Sequence, residues 1–391
     1  MEQWKEYKLS DILSIVSGFA YKGEYLGKGE SLLLGMGCVS YSELFLEKGM
    51  RPYAGEFPER YSVEAGDIVL ATRQQSDNLP ILGMPAIVPQ KFKGKKMVFG
   101  ANLYKVVPKS PEFPIDYIYW LLKTPAYIRH IRSCQTGTTV RMITKANIED
   151  YAFMCPCKEQ RNQISKLLWD IEMKIVLNRR INDNLEQQAQ TLFKSWFVDF
   201  EPFRGGKFVE SELGIIPEGW RVGTLSDLLD IKYGKDHKIL NDGNIPVYGS
   251  GGIMRLTDGI LYNGESVLIP RKGTLNNVLY VNWPFWTVDT MFYSIEKVPN
   301  VAKYCHLLLS KLNLVSMNSG SAVPSMTTDI LNKIQVIIAN KDVFNSFNER
   351  ISPFYLKTKN NLDENKRLSE IRDSLLPKLM SGKLKVNDLN C

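Results

Sequence analysis

The feature that most constrains this chain is an internal repeat. Residues 4–18 read WKEYKLSDILSIVSG and residues 220–234 read WRVGTLSDLLDIKYG, so an offset of 216 (220 minus 4) superposes their tryptophans and their closing glycines. Further along, GDIVL at 66–70 and GESVL at 264–268 resemble each other in the same order. Duplication at this scale predicts two copies of one structural unit. A chain of 391 residues is long enough for each copy to bury its own core.

Each copy has the pattern of a mixed domain, α/β in the broad sense and α+β in detail. A short capped helix precedes short strands with glycine-rich connections, then a helix, a polar loop and a closing strand at 151–155 or 334–339. The polar loops read TGTTV at 136–140 and SGSAV at 319–323, an offset of 183 (319 minus 136). Pro125 should divide the central helix of the first copy into two segments.

A long helical pattern follows each copy. From about 158 to 197, apolar and asparagine residues recur at alternating steps of four and three, which is the seam of a coiled coil. The same offset of 183 places Asn178 and Asn182 on Asn361 and Asn365. Because polar seam residues need partners, we expect an antiparallel, pseudo-twofold helix pair. The predicted spacer contacts are Ile171, Asn178, Asn182, Leu185, Phe354, Asn361, Asn365 and Leu368.

The alternative is a pair of unrelated amphipathic helices, each lying on its own domain. Pro353 and Pro377 favour it, since Pro353 should kink or begin the second helix and Pro377 should bend its last turn. On the paired interpretation the chain divides into five segments: a first domain at 1–157, a spacer helix at 158–200, a linker at 201–219, a second domain at 220–339 and a second spacer helix at 340–386.

Composition narrows the function. Lys and Arg number 49 against 42 Asp and Glu, a net charge of +7 that suits a polyanionic partner without requiring one. The chain has no long apolar run and no secretory signal pattern, so we expect a soluble, cytoplasmic protein. Its six cysteines and three histidines have no metal-ligand spacing, which predicts no metal site.

The sequence also lacks catalytic motifs. It contains no N-P-P-[FYW] motif of adenine methylation and no G-x-x-x-x-G-K-[ST] loop for ATP. No convincing P-D-x(n)-[DE]-x-K nuclease pattern occurs. We therefore predict no catalytic residue and no cofactor bound by this chain.

Two similar domains on paired helices suit a target with two halves, and duplex DNA is such a target. Clustered lysines at 91–96 could contact phosphates, and the segments after the strands at 66–70 and 264–268 carry side chains able to read base edges. The polar loops combine glycine with hydroxyls. The candidates for DNA contact are Lys22, Arg73, Gln74, Gln75, Lys93, Lys95, Lys96, Thr138, Thr139, Arg141, Lys235, Arg271, Lys272, Thr274, Ser321 and Ser325. Solvated turns and structural salt bridges are the competing interpretations.

Several of these segments resemble one family, the specificity subunits of type I restriction–modification systems. The markers are the W-x-x-x-x-L-S-D opening, GDIVLATR, the helix end NRRINDNLEQQAQTLFKSWFVDFEP, GNIPVYGSGGI and the RDSLLPKLMSGKL finish, and the resemblance covers essentially the whole chain. It implies two target-recognition domains and two spacer helices. It also implies double-stranded DNA, two methyltransferase subunits and, through the complex, restriction/translocase subunits as partners in a prokaryotic cytoplasm. S-adenosylmethionine, ATP and Mg are then expected on those partner subunits.

The predicted function is noncatalytic recognition of a bipartite, asymmetric DNA site, which positions adenine-methylating and nuclease subunits on it. One alternative is a coiled-coil adaptor whose duplicated domains bind protein or RNA. Another is a stand-alone nuclease, which would require metal-dependent cleavage by the chain alone.

Overall fold

The computed structural model describes residues 4–75, 80–317 and 325–389. The chain divides into two compact units. Unit 1 comprises Met1–Leu177 and Glu364–Cys391, and unit 2 comprises Asn178–Asp363. Each unit therefore contains one sequence repeat together with part of each long helix. The five predicted segment boundaries remain predictions, since a division by compactness assigns the helices to both units.

Unit 1 contains the first repeat. Its strands are β1 Lys5–Lys8, β2 Leu13–Ser17, β3 Leu26–Leu34, β4 Met50–Tyr53, β5 Ile68–Ala71, β6 Arg73–Gln74, β7 Pro85–Ile87, β8 Met97–Phe99, β9 Leu103–Pro108, β10 Arg141–Met142 and β11 Ala152–Cys155. Its helices are α1 Leu9–Ile12, α2 Ile115–Leu122, α3 Pro125–Cys134, α4 Lys145–Glu149 and the first part of α5 Lys158–Phe197. Pro125 begins α3 behind the N-cap Thr124, so the central helix is divided as predicted.

Unit 2 contains the second repeat. Its strands are β12 Phe208–Ser211, β13 Gly214–Pro217, β14 Arg221–Thr224, β15 Leu229–Tyr233, β16 Ile245–Gly249, β17 Gly252–Thr257, β18 Ser266–Pro270, β19 Leu279–Val281, β20 Trp286–Thr287, β21 Met291–Glu296 and β22 Gln335–Ile338. Its helices are α6 Leu225–Leu228, α7 Ala302–Lys311, α8 Thr328–Asn332 and the first part of α9 Lys341–Met380.

The two repeats share one sheet topology. Unit 1 has a four-stranded sheet in the order β2-β9-β5-β7 and unit 2 has one in the order β15-β21-β18-β19. Three-stranded sheets follow as β4-β3-β8 and β17-β16-β20, each containing one parallel pair. The first strand of each repeat pairs antiparallel with its closing strand, β1 with β11 and β14 with β22. These three sheet arrangements thus repeat from one unit to the other, as the sequence duplication predicts.

Matched glycines explain one part of the repeated sequence. A Cβ at Gly18 would lie 2.0 Å from the carbonyl oxygen of Gly100, and a Cβ at Gly234 would lie 2.1 Å from that of Val288. The backbones approach too closely there for any side chain. The glycine that closes each copy of the opening motif is therefore a packing requirement in both units.

The long helices take part in the core of each unit. In unit 1, Ile164 and Leu168 of α5 share a hydrophobic cluster with Leu376 and Leu379 of α9. The pairing of low α5 numbers with high α9 numbers is antiparallel. Pro353 and Pro377 both lie inside α9, which begins at Lys341, so Pro353 does not begin the helix.

Unit 2 contains the other ends of the same two helices. Ala189 and Phe193 of α5 share a cluster with Phe347 and Ile351 of α9, again antiparallel. Asn361 donates from Nδ2 to Oδ1 of Asn182 at 2.7 Å, so these two seam asparagines bond to each other. Within each unit the helices are paired, which argues against two unrelated surface helices.

The predicted linker at 201–219 contains regular structure. Phe208–Ser211 pairs antiparallel with Gly214–Pro217 in a hairpin. Gly214 adopts φ 99°, a left-handed conformation that suits glycine at a tight turn. The strands are short and largely exposed, which is why their pattern is weak in the sequence.

Candidate nucleic-acid interface

Two segments predicted to contact DNA lie side by side in unit 1. Strand β6 pairs with β10, so that Arg73 faces Met142 and Gln74 faces Arg141. The sequence places these segments far apart, and the fold brings together the strand end after β5 and the polar loop. Arg73 also lies near Tyr104, since its charge opposes the rise in the pKa of Tyr104 that burial causes.

The polar loop of unit 1 is a closed hairpin. Thr136 and Met142 exchange two backbone hydrogen bonds of 3.0 and 2.9 Å. Gly137 adopts φ 89°, and a Cβ there would lie 2.2 Å from the carbonyl oxygen of Val140. The turn therefore needs glycine, and it leaves Thr138 and Thr139 exposed. Arg141 is half-buried at the base of the hairpin.

Unit 2 repeats this junction with different side chains. Lys272 forms a β-bridge with Ser325, and the Met326 amide donates to the carbonyl of Arg271 at 2.8 Å. Lys272 and Thr274 are exposed, and Ser325 is half-buried. Ser321, the remaining candidate of this loop, lies outside the described residues.

Gln74 requires a correction. Its side chain is only 7% exposed, and its Oε1 accepts a hydrogen bond from the Leu82 amide at 3.3 Å. The residue supports the chain that follows β6 and does not face solvent, so we remove it from the base-reading candidates. Alternation along a strand explains this, because successive side chains point to opposite faces while Arg73 and Gln75 on either side are exposed.

The lysine cluster occupies the connection between β7 and β8. Lys93, Lys95 and Lys96 are exposed, with the Lys96 ammonium 5.1 Å from the centre of the Phe57 ring. Lys91, within the same run, forms an ion pair with Glu47. Three positive charges therefore face solvent on one turn, an arrangement able to attract phosphate.

Lys22 and Lys235, the matched candidates after the first glycine of each repeat, are both exposed. The carbonyl of Lys235 accepts a hydrogen bond from Nε1 of Trp286 at 3.0 Å, which fixes the backbone at that point.

Sequence reasoning missed the residue that holds Arg271. The Arg271 guanidinium lies 5.4 Å from the centre of the Tyr233 ring, and its Nη1 donates to the Asp289 carbonyl at 3.2 Å. Tyr233 is 51% exposed at the end of β15. An exposed aromatic at the end of a strand was the available signal, but only the fold shows which cation lies on it.

The predicted spacer residues form the interior of the helix pairs. Asn178 and Asn361 are fully buried in unit 2, and Asn365 donates from Nδ2 to the Ile175 carbonyl at 3.4 Å in unit 1. The others, which are half-buried, are Ile171, Asn182, Leu185, Phe354 and Leu368.

Both helices also expose apolar side chains on their outer faces. In unit 1 these include Met173, Leu177 and Ile371, and in unit 2 they include Leu356 and Leu362. Exposed aliphatic side chains on these helices are available for contact with another protein. This surface was not identified from the sequence.

Two further properties of the described residues bear on function. They contain no group of three or more histidine, cysteine, aspartate or glutamate side chains placed to hold a metal ion. Within the same ranges, no helix combines the length and the apolar character needed to cross a bilayer.

The sequence profile of the family described as "Type I restriction modification DNA specificity domain" matches residues 1–187 and 217–369. Among curated proteins, the type I restriction enzyme MjaIX specificity subunit of Methanocaldococcus jannaschii is 25% identical, covering 99% of this chain and 95% of that protein. The HindI specificity subunit of Haemophilus influenzae is 24% identical, with 98% and 100% covered.

A solved structure has the same fold. The crystal structure of the type I restriction–modification system S subunit from M. genitalium aligns with a TM-score of 0.56 at 16% identity, covering 97% of this chain and 96% of that one. At this level of identity the likeness concerns the fold alone.

Proposed function

Because the chain belongs to the family of type I restriction–modification DNA specificity subunits, we propose that each of its units reads one half of a bipartite, asymmetric double-stranded DNA target. The protein is a noncatalytic DNA-recognition component of its complex.

The observation that carries this division is the repeated junction between a strand end and a polar loop. In unit 1 it presents Arg73, Gln75 and the hydroxyls of the 136–142 hairpin. In unit 2 it presents Arg271, Lys272 and Ser325. One backbone arrangement with two different sets of hydrogen-bonding side chains suits two half-sites of different sequence.

The contacts fall into two kinds. Arginine and glutamine side chains can bond two base atoms at once, whereas the lysines of the 91–96 turn can neutralise phosphates without regard to sequence. We assign Arg73, Gln75 and Arg271 to base reading, and Lys93, Lys95 and Lys96 to phosphate. Arg271 is half-buried, whereas Arg73, Gln75 and the three lysines are exposed.

The outer faces of the paired helices provide a second surface. We assign the exposed apolar residues of α5 and α9 to the methyltransferase subunits, two of which would assemble with one specificity chain, and restriction/translocase subunits would join through that complex. S-adenosylmethionine, ATP and Mg would then be bound by those partners.

The test is selection of DNA by the assembled complex. A purified complex of this chain with its methyltransferase subunit is incubated with a library of random duplexes, and bound DNA is sequenced. We expect a motif with two specified halves and an unspecified gap of fixed length. Arg73→Ala should relax one half and leave the other unchanged, so each half serves as the control for the other.

Enrichment of no split motif by the unaltered complex would contradict the proposal. Selective retention of RNA or of protein ligands in place of DNA would favour an adaptor with duplicated binding domains.

A further inference from the structure

We infer that Arg271 reads a guanine in the half-site of unit 2, and that Tyr233 is a positioning residue that holds its guanidinium for this contact. The inference rests on the proposed function and specifies it to one side chain and one type of base. It draws on the contacts that fix Arg271 and on their difference from the matching place in unit 1.

The backbone of Arg271 is fixed on both sides. Its amide donates to the Thr290 carbonyl at 2.8 Å, and its carbonyl accepts from the Met326 amide at 2.8 Å. The residue directly follows β18, whose five residues are all buried. The backbone of Arg271 is thus anchored to a fully buried strand of unit 2.

The side chain is fixed as well. The guanidinium lies over the Tyr233 ring at 5.4 Å, and Nη1 donates to the Asp289 carbonyl at 3.2 Å. An arginine has five N–H donors, and this contact engages one of them. The remaining donors include a pair able to bond O6 and N7 of guanine together, the commonest specific contact in the major groove. Little side-chain entropy is then lost on binding.

Tyr233 is itself held in place. Its ring packs edge-on against Phe292 with centroids 5.0 Å apart, and its hydroxyl lies 3.4 Å from Oγ1 of Thr328. The ring therefore has anchors on two elements, β21 and α8. A ring held in this way limits where the cation above it can move.

The first repeat differs at the position of Tyr233. The offset of 216 places Ser17 at the position of Tyr233, and serine has no ring on which a guanidinium can stack. Arg73 is exposed beside β10. In unit 2, Lys272 directly follows Arg271 and is exposed. A lysine ammonium on its flexible stem acts as a point charge, which suits phosphate better than a base edge.

The experiment uses the assembled complex and the duplex motif that it selects. Arg271→Ala should reduce the preference for one guanine in one half-site by about 5- to 150-fold, leaving the other half unchanged. Lys272→Ala is the matched control. It should weaken binding to all sequences alike and lower the salt slope of log K by about one.

Tyr233 is tested by two substitutions. Tyr233→Ser copies the first repeat and should relax the preference at the same base as Arg271→Ala, by a smaller factor. Tyr233→Phe keeps the ring and should retain the preference. Replacing that guanine by 7-deazaguanine, which lacks the N7 acceptor, tests the contact with the unaltered protein and does not depend on how any variant folds.

The outcomes separate the two levels of inference. A uniform loss of affinity for Arg271→Ala, with base preferences unchanged, would make it a phosphate contact and overturn the guanine assignment. Full retention of the preference in Tyr233→Ser would overturn the positioning role. Either result leaves the proposed function standing, whereas failure of the unaltered complex to select a split motif would reject that function itself.

Discussion

The two units have the same topology but different interiors where the long helices meet. In unit 1, Glu172 of α5 is 2% exposed and forms an ion pair with Arg372 of α9. The offset of 183 places Tyr355 and Ala189 at the corresponding positions of unit 2. Ala189 is buried in the hydrophobic cluster, and the Tyr355 hydroxyl lies 2.7 Å from Nδ1 of His306. The fold therefore repeats, while the chemistry that pairs the two helices does not.

This difference bears on which helical segments can pair. A buried charge tolerates only a partner that neutralises it, and an apolar surface offers none. The buried Glu172 in the first segment of α5 therefore favours pairing with the segment of α9 that carries Arg372. The duplicated units would otherwise present two similar helix surfaces, and exchange between them would compete with the native arrangement.

The largest effect should follow from breaking the ion pair. Arg372→Met leaves Glu172 buried without its partner, and we expect unit 1 to lose about 3–5 kcal/mol of stability. Hydrogen exchange measured by mass spectrometry on peptides of α2 and of α7 reports the two units separately. Exchange in the α7 peptides of unit 2 should be unaffected.

The double variant Glu172→Met, Arg372→Met is the matched control. With both charges removed, the stability of unit 1 should return to within about 1–2 kcal/mol of the original chain or exceed it. A single variant as stable as the double one would show that the pair does not constrain the helix interior.

A smaller difference should separate the two opening tryptophans. Trp220 is 7% exposed, and its ring lies 4.9 Å from that of Phe203 and 5.7 Å from that of Phe197. Trp4 is half-buried against Gly382, beside a cavity of about 370 Å³. We expect Trp220→Ala to cost unit 2 about 3–4 kcal/mol and Trp4→Ala to cost unit 1 about half as much.

Hydrogen exchange of unit 1 and unit 2 peptides, measured at increasing urea concentrations, would compare these two variants. Equal losses would mean that the sequence match between the tryptophans extends to their packing, contrary to the contacts described here.

A third effect is pH-dependent and belongs to unit 2. The segment YIYWLL at 117–122 matches YCHLLL at 304–309, so Tyr119 of unit 1 aligns in sequence with His306 of unit 2. Burial lowers the pKa of His306 to about 4, below its ordinary value of 6.5. The unfolded chain then binds more protons between pH 6.5 and 4, so unit 2 should lose stability as the pH falls through that window. Burial raises the pKa of Tyr119, which stays neutral there.

Stability measured against pH for the original chain and for His306→Gln isolates this contribution. Their difference should change by about 2–3 kcal/mol between pH 6.5 and 4, with unit 2 peptides affected and unit 1 peptides not. Parallel curves for the two proteins would show that His306 is not held neutral in the folded state.

Local patterns predicted the elements better than the contacts of individual side chains. The seam of four-three steps predicted which faces of α5 and α9 are buried, because helical periodicity fixes the face on which a residue lies. The prediction for Gln74 was wrong because successive side chains of a strand point to opposite faces, so Gln74 is buried although Arg73 and Gln75 are exposed. The hairpin at 208–217 was missed because its strands are only four residues long and mostly exposed, so burial imposes no alternating pattern on them.

The sequence by itself determined that the chain contains two copies of one fold, that each is followed by a long helix, and that no motif for methylation or ATP use is present. These properties are local or periodic, so the order of the residues is enough to reveal them. Tertiary structure alone decided that Arg271 lies on Tyr233, that the strand ends meet the polar loops, and that Glu172 forms an ion pair with Arg372. Such contacts join residues distant along the chain, and only the packing of whole sheets and helices determines which of them approach.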